Sequence, residues 1–469
     1  MKKVLIIGAG SAGQMVAREI QQKQGIASRY ILIGFLDDNP ESQLILGVPV
    51  HGTIGDAPAV IREMDIQEVI IAIPSAGKEV IQRIVGVLSR CDVTVKIVPG
   101  IFEIIEGTAS ISQVRAIEPS DLLGREEVGF DAGQIAPFYW DKTVLVTGAG
   151  GSIGSEILNQ LLKLPVKKVT AFGHGETSIH NLIREYGNDP RFSYIIGDVR
   201  DESKLRFEFN RLRPEMVFHA AAHKHVPLME DFPDESIKTN ILGSYQAAKA
   251  AIEAGVSVFT MVSTDKAVNP ASIMGACKRI AEKIVLSLSQ TQKTTRFAVT
   301  RFGNVLGSRG SVIPVFQSQI EKGGPLTVTH PEITRFFMSI PEAAKLVIKS
   351  GTVSTGRIFV LDMGRPILIA DLARALLKLS GRDEDEMPIV YTGLRKGEKM
   401  EEELSYSREK LAPSPFEKLS ISSETMTYFN ESELDTLIAD FKKSAESYDP
   451  ESIRQTIKKY LPEFRGDSR

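Results

Sequence analysis

The sequence predicts an α/β protein built from two doubly wound parallel sheets. Strand-like apolar runs alternate with amphipathic helical stretches almost from end to end, a pattern typical of parallel sheets covered by helices on both faces. The alternation starts twice, each time with an apolar run, a glycine-rich turn and a helix. With 469 residues the chain has room for about three structural units. We therefore expect two Rossmann-like domains, the second with a smaller C-terminal substrate-binding lobe.

The composition excludes several classes of protein. With 42% hydrophobic and 25% charged residues, the chain is an ordinary globular protein rather than a disordered or fibrous one. The 56 basic residues against 59 acidic ones give no field that would attract nucleic acid. Cys91 and Cys277 lie far apart, which predicts neither a disulfide framework nor a zinc site. With this balance of charge we expect small molecules as partners. No run of 18 apolar residues occurs, so we expect no membrane span.

The first start predicts an N-terminal Rossmann-like domain over residues 1–100. The run VLII leads into GAGSAG and a helix that we expect to begin near Ala12. A second apolar strand ends in Asp37 and Asp38, at about the spacing of a ribose-binding carboxylate. Two interpretations stay open, a dinucleotide site or glycines that only form a tight turn. The ligand of this domain is therefore not predicted.

The second start follows residues 101–141, where turn signals without a long periodic segment predict a linker. There KTVLVTGAGGSIGSEILNQLL combines a strand, glycines spaced for a pyrophosphate and a helix. We expect residues 142–410 to form the catalytic domain. Residues 411–469 are predicted to be a helical tail, whose apolar spacing indicates a packed helix pair.

The glycine signature at 147–154 resembles the extended short-chain dehydrogenase/reductase family of nucleoside-diphosphate-sugar enzymes. Other segments are similar to its bacterial UDP-N-acetylglucosamine 4,6-dehydratase branch, in the polysaccharide biosynthesis group: HAAAHKHVPLME (219–230), IKTNILGSYQ (237–246), STDKAVNPASIMGACKR (263–279), RFGNVLGSRGSVIPVF (301–316), TRFFMSIPEAAKLV (334–347) and GLRKGEK (393–399). The resemblance covers about residues 120–410.

This resemblance implies a hydro-lyase with tightly bound NAD(P). Such an enzyme converts UDP-N-acetylglucosamine to a UDP-4-keto-6-deoxy-hexosamine for polysaccharide or glycoprotein glycans. Longer members of the branch begin with transmembrane helices that this sequence lacks. We therefore expect a cytoplasmic protein or the soluble part of an inner-membrane protein, and a homo-oligomer.

Chemistry gives an independent reason to consider Thr264, Asp265 and Lys266. Removing water across C5 and C6 needs oxidation at C4, a base for the C5 proton and an acid for the departing hydroxyl. These residues follow an apolar strand, at the edge where an open α/β sheet presents its ligand site. The resemblance implies that Asp265 is the acid and Lys266 the base. The alternative is an ordinary Asp-Lys pair at a strand end.

The family's Tyr-x-x-x-Lys motif is represented by Met274 and Lys278. They stand four residues apart and share one helix face. Lys278 is expected to hold the nicotinamide ribose, whereas Met274 cannot act as an acid or base. Deprotonation of the C4 hydroxyl then falls to another group, with Thr264 or Asp265 as candidates. A catalytically inactive relative is the alternative.

The end of the second strand bears on the choice of cofactor. In FGHGE, His174 stands where a ribose-binding carboxylate would be expected, which favours NADP, while Glu176 keeps NAD open. The glycine turn and the resemblance together predict these cofactor contacts: Gly148, Gly151, Ser152, Ile153, Gly154, His174, Glu176, Asp198, Val199, Ala220, Ala221, Asn240 and Lys278.

For the UDP-sugar, the resemblance implies contacts from cationic and amide side chains and one acid. They are Lys224, Asn304, Arg335, Arg395 and Glu398. The three histidines of HAAAHKH lack nearby carboxylates, so we predict no metal.

Two further functions stay open beside dehydration. A nucleotide-sugar epimerase would keep the fold, although the missing Tyr and the Asp265-Lys266 pair argue against simple C4 epimerisation. A catalytically inactive nucleotide-binding scaffold is the second alternative.

Overall fold

The computed structural model describes most of the chain, namely residues 1–22, 29–39, 42–73, 76, 78–88, 91, 93–98, 115–116, 132–353, 356–380, 382, 384–407, 409–423 and 428–466. Contacts divide the chain into two compact units. One comprises Met1–Gly129, Val315–Val328 and Ala370–Val390, and the other comprises Phe130–Pro314, Thr329–Ile369 and Tyr391–Arg469.

The strands, in chain order, are β1 (Lys2–Ile7), β2 (Tyr30–Leu36), β3 (Leu44–Ile45), β4 (Val48–Pro49), β5 (Glu68–Ile71), β6 (Thr94–Ile97), β7 (Arg115–Ala116), β8 (Thr143–Thr147), β9 (Lys168–Gly173), β10 (Phe192–Ile196), β11 (Met216–His219), β12 (Val258–Val262), β13 (Arg296–Arg301), β14 (Asn304–Val305), β15 (Leu326–Val328), β16 (Thr334–Arg335), β17 (Phe337–Met338), β18 (Arg357–Leu361), β19 (Ile367–Leu368), β20 (Ile389–Tyr391), β21 (Leu411–Pro413) and β22 (Leu419–Ser422).

The helices are α1 (Ser11–Gln22), α2 (Ala57–Met64), α3 (Lys78–Leu88), α4 (Ala132–Tyr139), α5 (Ser152–Leu162), α6 (Glu176–Tyr186), α7 (Glu202–Leu212), α8 (Val226–Asp231), α9 (Pro233–Ser236), α10 (Gly243–Ala254), α11 (Ile273–Thr291), α12 (Val312–Glu321), α13 (Ile340–Val353), α14 (Ile369–Leu379), α15 (Glu431–Ser447) and α16 (Pro450–Tyr460). Single 3₁₀ turns cover Ile54–Asp56 and Asp265–Ala267, and a π-helical segment, Ile237–Leu242, joins α9 to α10.

The first sheet has the strand order β2-β1-β5-β6-β7. Its first four strands are parallel, and β7 pairs antiparallel with β6. Alternate residues of β1 enter two different cores, with Val4 and Ile6 on one face and Leu5 and Ile7 on the other. The sheet is therefore buried on both faces, as expected when parallel strands are linked by helices.

The second sheet has nine strands in the order β10-β9-β8-β11-β12-β13-β18-β22-β21. The strands from β10 to β18 run parallel, and β22 and β21 add antiparallel pairs at one edge. The strand order reverses between β8 and β11, so the loops that follow these two strands diverge to opposite faces. Such a switch point is where open α/β sheets bind their ligands.

The predicted fold class is confirmed, and the apolar runs before the two glycine turns form β1 and β8. The predicted terminal helix pair is observed as α15 and α16, but the prediction that residues 411–469 form a helical tail is wrong for its first part. Strands β21 and β22 lie there and pair at the edge of the second sheet, so the helical part begins only at Glu431. Helix α1 begins at Ser11, one residue before the predicted start. Within the predicted linker the structure has a helix, α4, that the turn signals at Gly129 and Pro137 concealed. Residues 101–114 and 117–131 of that linker lie outside the described residues.

Candidate active site

The glycine turn after β8 forms a tight cradle at the switch point. Gly148 has φ of 65°, and a Cβ there would lie 2.5 Å from the backbone nitrogen of Ala221. A Cβ on Gly154 would lie 2.3 Å from the carbonyl oxygen of Gly148. Gly151 caps α5, whose first amides, from Ser152 onward, have no acceptor within the helix. This geometry suits an anion such as a pyrophosphate.

Two predicted cofactor residues, His174 and Glu176, are exposed at the end of β9 and the start of α6. Asp198, after β10, accepts hydrogen bonds from the Nε and Nη2 of Arg200 at 2.9 and 2.7 Å. Burial alone would raise the pKa of Asp198, but the bonds from Arg200 outweigh it and the pKa is lowered. Val199 beside it is buried. Arg200 was missed by the sequence analysis, although it is only two residues from Asp198.

Asn240 is fully buried in the π-helical segment and fixes the loop that follows β11. Its side chain accepts from the backbone nitrogen of His223 at 2.8 Å and donates to the carbonyl of the same residue at 2.9 Å. That loop begins with Ala220 and Ala221, which are half-buried against the glycine turn. A π-helical segment is often found at a functional site.

Lys224 and Arg309 meet beside the glycine turn. Lys224 Nζ donates to the carbonyl of Arg309 at 2.7 Å. Arg309 donates from Nη1 to the carbonyl of Gly150 at 3.1 Å, and its backbone nitrogen donates to Ser152 Oγ at 3.3 Å. Arg309 was missed by the sequence analysis, although it lies in the string RFGNVLGSRGSVIPVF that carried part of the resemblance.

Thr264, Asp265 and Lys266 form a connected group at the carboxyl end of β12. Thr264 caps the 3₁₀ turn, and its hydroxyl donates to Asp265 Oδ1 at 2.9 Å. Lys266 Nζ donates to the same oxygen at 2.9 Å and to Asn304 Oδ1 at 3.2 Å. The Asp265 side chain is fully buried, whereas that of Lys266 is 20% exposed. The predicted triplet is thus brought together, and Asn304 joins it.

Glu402 is a third ionisable group in this cluster, after Asp265 and Lys266, and was missed by the sequence analysis. Its Oε1 lies 3.5 Å from Lys266 Nζ, and its side chain is 3% exposed. Burial raises the pKa of Glu402, an effect that the nearby Lys266 opposes and Asp265 reinforces. For Lys266, burial would lower the pKa, but the carboxylates of Asp265 and Glu402 outweigh it and the pKa is raised.

Met274 and Lys278 lie on the first turns of α11, both buried. Lys278 Nζ donates to the carbonyl of Val262, the last residue of β12, at 2.7 Å. Burial lowers the pKa of Lys278 to about 8, although Glu282 acts in the opposite direction. A Cβ on Gly275 would lie 2.2 Å from the carbonyl oxygen of Lys266, so this glycine allows α11 to approach the 3₁₀ turn.

A buried ionic network supports the ends of β12 and β13 beneath this group. Glu282 on α11 accepts from Ser263 Oγ at 2.6 Å and from Arg301 Nη2 at 2.6 Å. Burial would raise the pKa of Glu282, but Arg301 and Arg279 lower it to about 2. The carboxylate therefore stays ionised and fixes the strand ends that carry the candidate site.

The segment Tyr391–Tyr406 holds the 3₁₀ turn from the other side. Lys399 Nζ donates to the carbonyl of Val268 at 2.7 Å, and the Tyr406 hydroxyl donates to the carbonyl of Ala267 at 3.2 Å. Lys399 is 131 residues after Val268 in the sequence, and the segment that contains it brings Glu402 beside Lys266.

The remaining predicted substrate residues lie on this segment or against it. Arg335 Nη2 donates to Glu398 Oε1 at 3.3 Å, and Glu398 Oε2 accepts from the backbone nitrogen of Arg395 at 3.1 Å. Arg335 is mostly buried, and Arg395 is exposed. The structure thus brings Arg335 and Glu398 together. Arg395 joins them through its backbone nitrogen, and its side chain is exposed.

The first glycine turn has a separate cavity of about 340 Å³, lined by residues including Gly10, Asp37 and Arg83. Asp37 Oδ2 accepts from the backbone nitrogen of Ala9 at 2.7 Å, and Asp38 pairs with Arg83. The Asp37 side chain thus lies against the glycine turn and is hydrogen-bonded to it.

Among the described residues, no group of three or more His, Cys, Asp or Glu side chains could hold a metal ion. His219 lies between Thr147 Oγ1 at 2.8 Å and Ser244 Oγ at 3.0 Å. Burial lowers its pKa to about 3, so it is a neutral core residue. Within the same described part of the chain, no helix has the length and hydropathy to cross a membrane.

Comparisons with known proteins agree with this architecture. A family model described as polysaccharide biosynthesis protein matches residues 144–424, and one described as a CoA-binding domain matches residues 1–99. The probable polysaccharide biosynthesis protein EpsC of Bacillus subtilis is 46% identical over 426 residues, which are 89% of this chain and 71% of that protein.

Two further relatives match a little over half of the chain. A UDP-glucose 4-epimerase of Rickettsia canadensis is 37% identical over 276 residues, 57% of this chain and 79% of that protein. Among solved structures, Pen from Bacillus thuringiensis has a TM-score of 0.57 and 34% identity, covering 62% of this chain and 90% of that one.

The doubly wound sheet with a glycine turn at its switch point defines a Rossmann-like α/β protein. Because one family model covers more than half of the chain, the protein belongs to the polysaccharide biosynthesis protein family.

Proposed function

We propose that this protein is an NAD(P)-dependent 4,6-dehydratase of UDP-N-acetylglucosamine, with catalysis housed in residues 142–410. The observation that carries the proposal is the contact of Lys266 Nζ with Asp265 Oδ1, 2.9 Å, at the carboxyl end of β12. This edge of the sheet also carries the glycine turn. An acid and a base side by side are what elimination across C5 and C6 requires.

The residues around the glycine turn fit a dinucleotide. The cradle that a Cβ on Gly148 or Gly154 would fill leaves room for close approach of a pyrophosphate to the start of α5. We assign Lys278 to the nicotinamide ribose; its Nζ lies at the end of β12, where it donates to the carbonyl of Val262. When bound, NAD(P) would take a hydride from C4 of the sugar and return it to C6.

The proton transfers belong to side chains of this chain. Lys266 takes the C5 proton, and Asp265 gives a proton to the departing C6 hydroxyl. Asp265 Oδ2 is buried and accepts no hydrogen bond from the described residues, so we assign to this oxygen the proton that Asp265 gives up. Met274 cannot take the proton of the C4 hydroxyl. That proton therefore passes to the polar group formed by Thr264, Asp265 and Lys266.

The proposed cofactor is NADP. His174 stands at the end of β9 in place of a carboxylate, which avoids repulsion of a 2′-phosphate. Glu176 is the feature that would favour NAD instead. Titration of the cofactor-free protein with each dinucleotide separates the two.

C4 epimerisation is the second candidate, because the Rickettsia relative is named a UDP-glucose 4-epimerase. That reaction needs oxidation and reduction at C4 alone, so it would leave the Asp265-Lys266 pair without a task. A base for the C4 hydroxyl would still be needed, and Met274 does not supply one.

The test is incubation of the protein with UDP-N-acetylglucosamine, followed by NMR of the product. A C6 methyl group beside a C4 ketone or its hydrate supports dehydration. A product changed only in configuration at C4 would establish the epimerase, and unchanged substrate with a protein that still binds nucleotide would indicate the inactive scaffold.

A further inference from the structure

We propose that Glu402 is a positioning residue that stores a proton for the Asp265-Lys266 pair and returns it to Asp265 at the end of each cycle. The inference rests on the proposed dehydration. It starts from a buried carboxyl beside Lys266 that the elimination step itself does not use.

The first observation is the number of acceptors around Lys266. Its Nζ faces Asp265 Oδ1 at 2.9 Å, Asn304 Oδ1 at 3.2 Å and Glu402 Oε1 at 3.5 Å. Three acceptors suit the three hydrogens of an ammonium group, whereas a base needs a free lone pair. Lys266 must therefore hand a proton to a neighbour, and the amide oxygen of Asn304 cannot keep one.

The second observation is the environment of Glu402. Its Oε2 accepts no hydrogen bond from the described residues and lies 4.0 Å from Lys399 Nζ. Asp265, Lys266, Arg335 and Lys399 are the charged groups that act on this carboxyl. A buried carboxyl with one unpartnered oxygen has a raised affinity for a proton, and protonation would remove an uncompensated buried charge.

The proton balance of the reaction requires such a store. The cycle begins with Asp265 protonated, Lys266 neutral and Glu402 ionised. Oxidation at C4 breaks the hydroxyl O–H bond, and that proton passes by way of Lys266 Nζ to Glu402. The C5 proton then goes to Lys266, the C6–O bond breaks, and the proton of Asp265 leaves in the water.

The second half of the cycle restores the starting state. C5 takes back a proton from Lys266 as hydride is delivered to C6. Lys266 is then neutral, Asp265 is ionised and Glu402 is protonated. Transfer of the Glu402 proton through Lys266 Nζ to Asp265 completes the balance, with one proton taken from the C4 hydroxyl and one lost in water.

The kinetic test compares Glu402→Gln, which keeps the shape but cannot hold the proton, with Glu402→Asp and with Glu401→Gln on the exposed neighbouring residue. We expect Glu402→Gln to lower kcat roughly 10²-fold, the size of a lost acid–base group, with little change in KM. Glu402→Asp should recover at least about tenfold of that loss, and Glu401→Gln should match the unmodified protein.

The dependence of kcat on pH distinguishes a Glu402 that stores a proton from a Glu402 that acts only through its negative charge. The Glu402 carboxylate raises the pKa of Lys266, so a role through charge alone predicts that Glu402→Gln lowers that pKa. The ascending limb of kcat against pH would then move to lower pH with the plateau kept or raised. That result, or equal rates in the Gln and Asp variants, would overturn the proposal.

An infrared measurement decides the point without turnover. The difference spectrum of unmodified protein minus Glu402→Gln should contain carboxylate bands at high pH, because Glu402 is ionised at rest. As the pH is lowered, the carbonyl stretch of a protonated carboxyl should replace these bands at a higher pH than for an ordinary glutamic acid, because burial raises the pKa of Glu402. The spectrum of unmodified protein minus Glu401→Gln should lack this shifted transition. A carboxylate signal alone through the neutral and mildly acidic range would refute the store. If the product assay instead finds an epimer, the proposed function fails while this spectrum still decides the protonation of Glu402.

Discussion

At the scale of single residues, Lys266 is set apart from an ordinary lysine by what surrounds its ammonium group. Two carboxyls and one amide oxygen face it, and its side chain is only 20% exposed. Its charge is therefore governed by its neighbours rather than by solvent. This is the property that the proposed elimination needs, because the same nitrogen must be neutral before the C5 proton leaves and charged afterwards.

Lys266→Ala is expected to lower turnover by roughly 10² to 10⁴-fold, the contribution of a positioned general base. Cofactor binding should be nearly unchanged, since the glycine turn and Lys278 are untouched. Lys168→Ala is the matched control, because Lys168 is exposed at the amino end of β9, away from the carboxyl edge. Turnover measured on both variants checks this, and an active Lys266→Ala would remove Lys266 from the mechanism.

The triplet Thr264-Asp265-Lys266 could be predicted because its members are adjacent in sequence and follow a strand. Glu402 could not. It is one of three successive glutamates, Glu401 to Glu403, and only the fold shows that the middle one is buried. Arg309 was likewise hidden, because its contact with the glycine turn spans more than 150 residues.

At the scale of elements, the chain contains two strand-turn-helix units with the same steric requirement. A Cβ on Gly13 would lie 1.9 Å from the carbonyl of Gly8, just as one on Gly154 would lie 2.3 Å from that of Gly148. The glycine spacing predicted both turns. It could not predict that in the first turn Asp37 already accepts a backbone amide of the loop.

This equivalence gives a paired experiment, Gly154→Ala against Gly13→Ala. Overpacking of this kind costs about 1–3 kcal/mol, which corresponds to roughly a ten- to hundredfold loss of affinity if it displaces the binding loop. We expect Gly154→Ala to weaken NAD(P) binding by this factor and Gly13→Ala to leave it unchanged. Fluorescence titration with the dinucleotide measures both, with circular dichroism as the check on folding.

The opposite pattern, weaker binding with Gly13→Ala and normal binding with Gly154→Ala, would show that the cofactor binds at the first sheet.

Elements that carry no recognisable sequence motif were harder to predict. Helix α4 contains Pro137 and follows a glycine, so its sequence is typical of a loop. The π-helical segment around Asn240 has no simple sequence signal, although the string IKTNILGSYQ carried part of the resemblance.

At the scale of the whole molecule, the two sheets and the terminal helices follow from hydrophobic periodicity. Leu434 and Phe441 of α15 and Ile453 of α16 enter the same core as Ile280 of α11, which explains why the tail has helical apolar spacing. The periodicity does not predict how Tyr391–Tyr406 returns to β12. That return assembles the candidate site, because it fixes the 3₁₀ turn and delivers Glu402.

The central claim is that hydride leaves C4 and returns to C6 of the same sugar while C5 exchanges its proton through Lys266. The measurement that tests it most directly is the reaction of UDP-N-acetylglucosamine deuterated at C4, followed by NMR of the product. The account predicts deuterium in the C6 methyl group, with no external reductant consumed, and incorporation of deuterium at C5 when unlabelled substrate reacts in heavy water. Deuterium that stays at C4 or returns there would contradict dehydration.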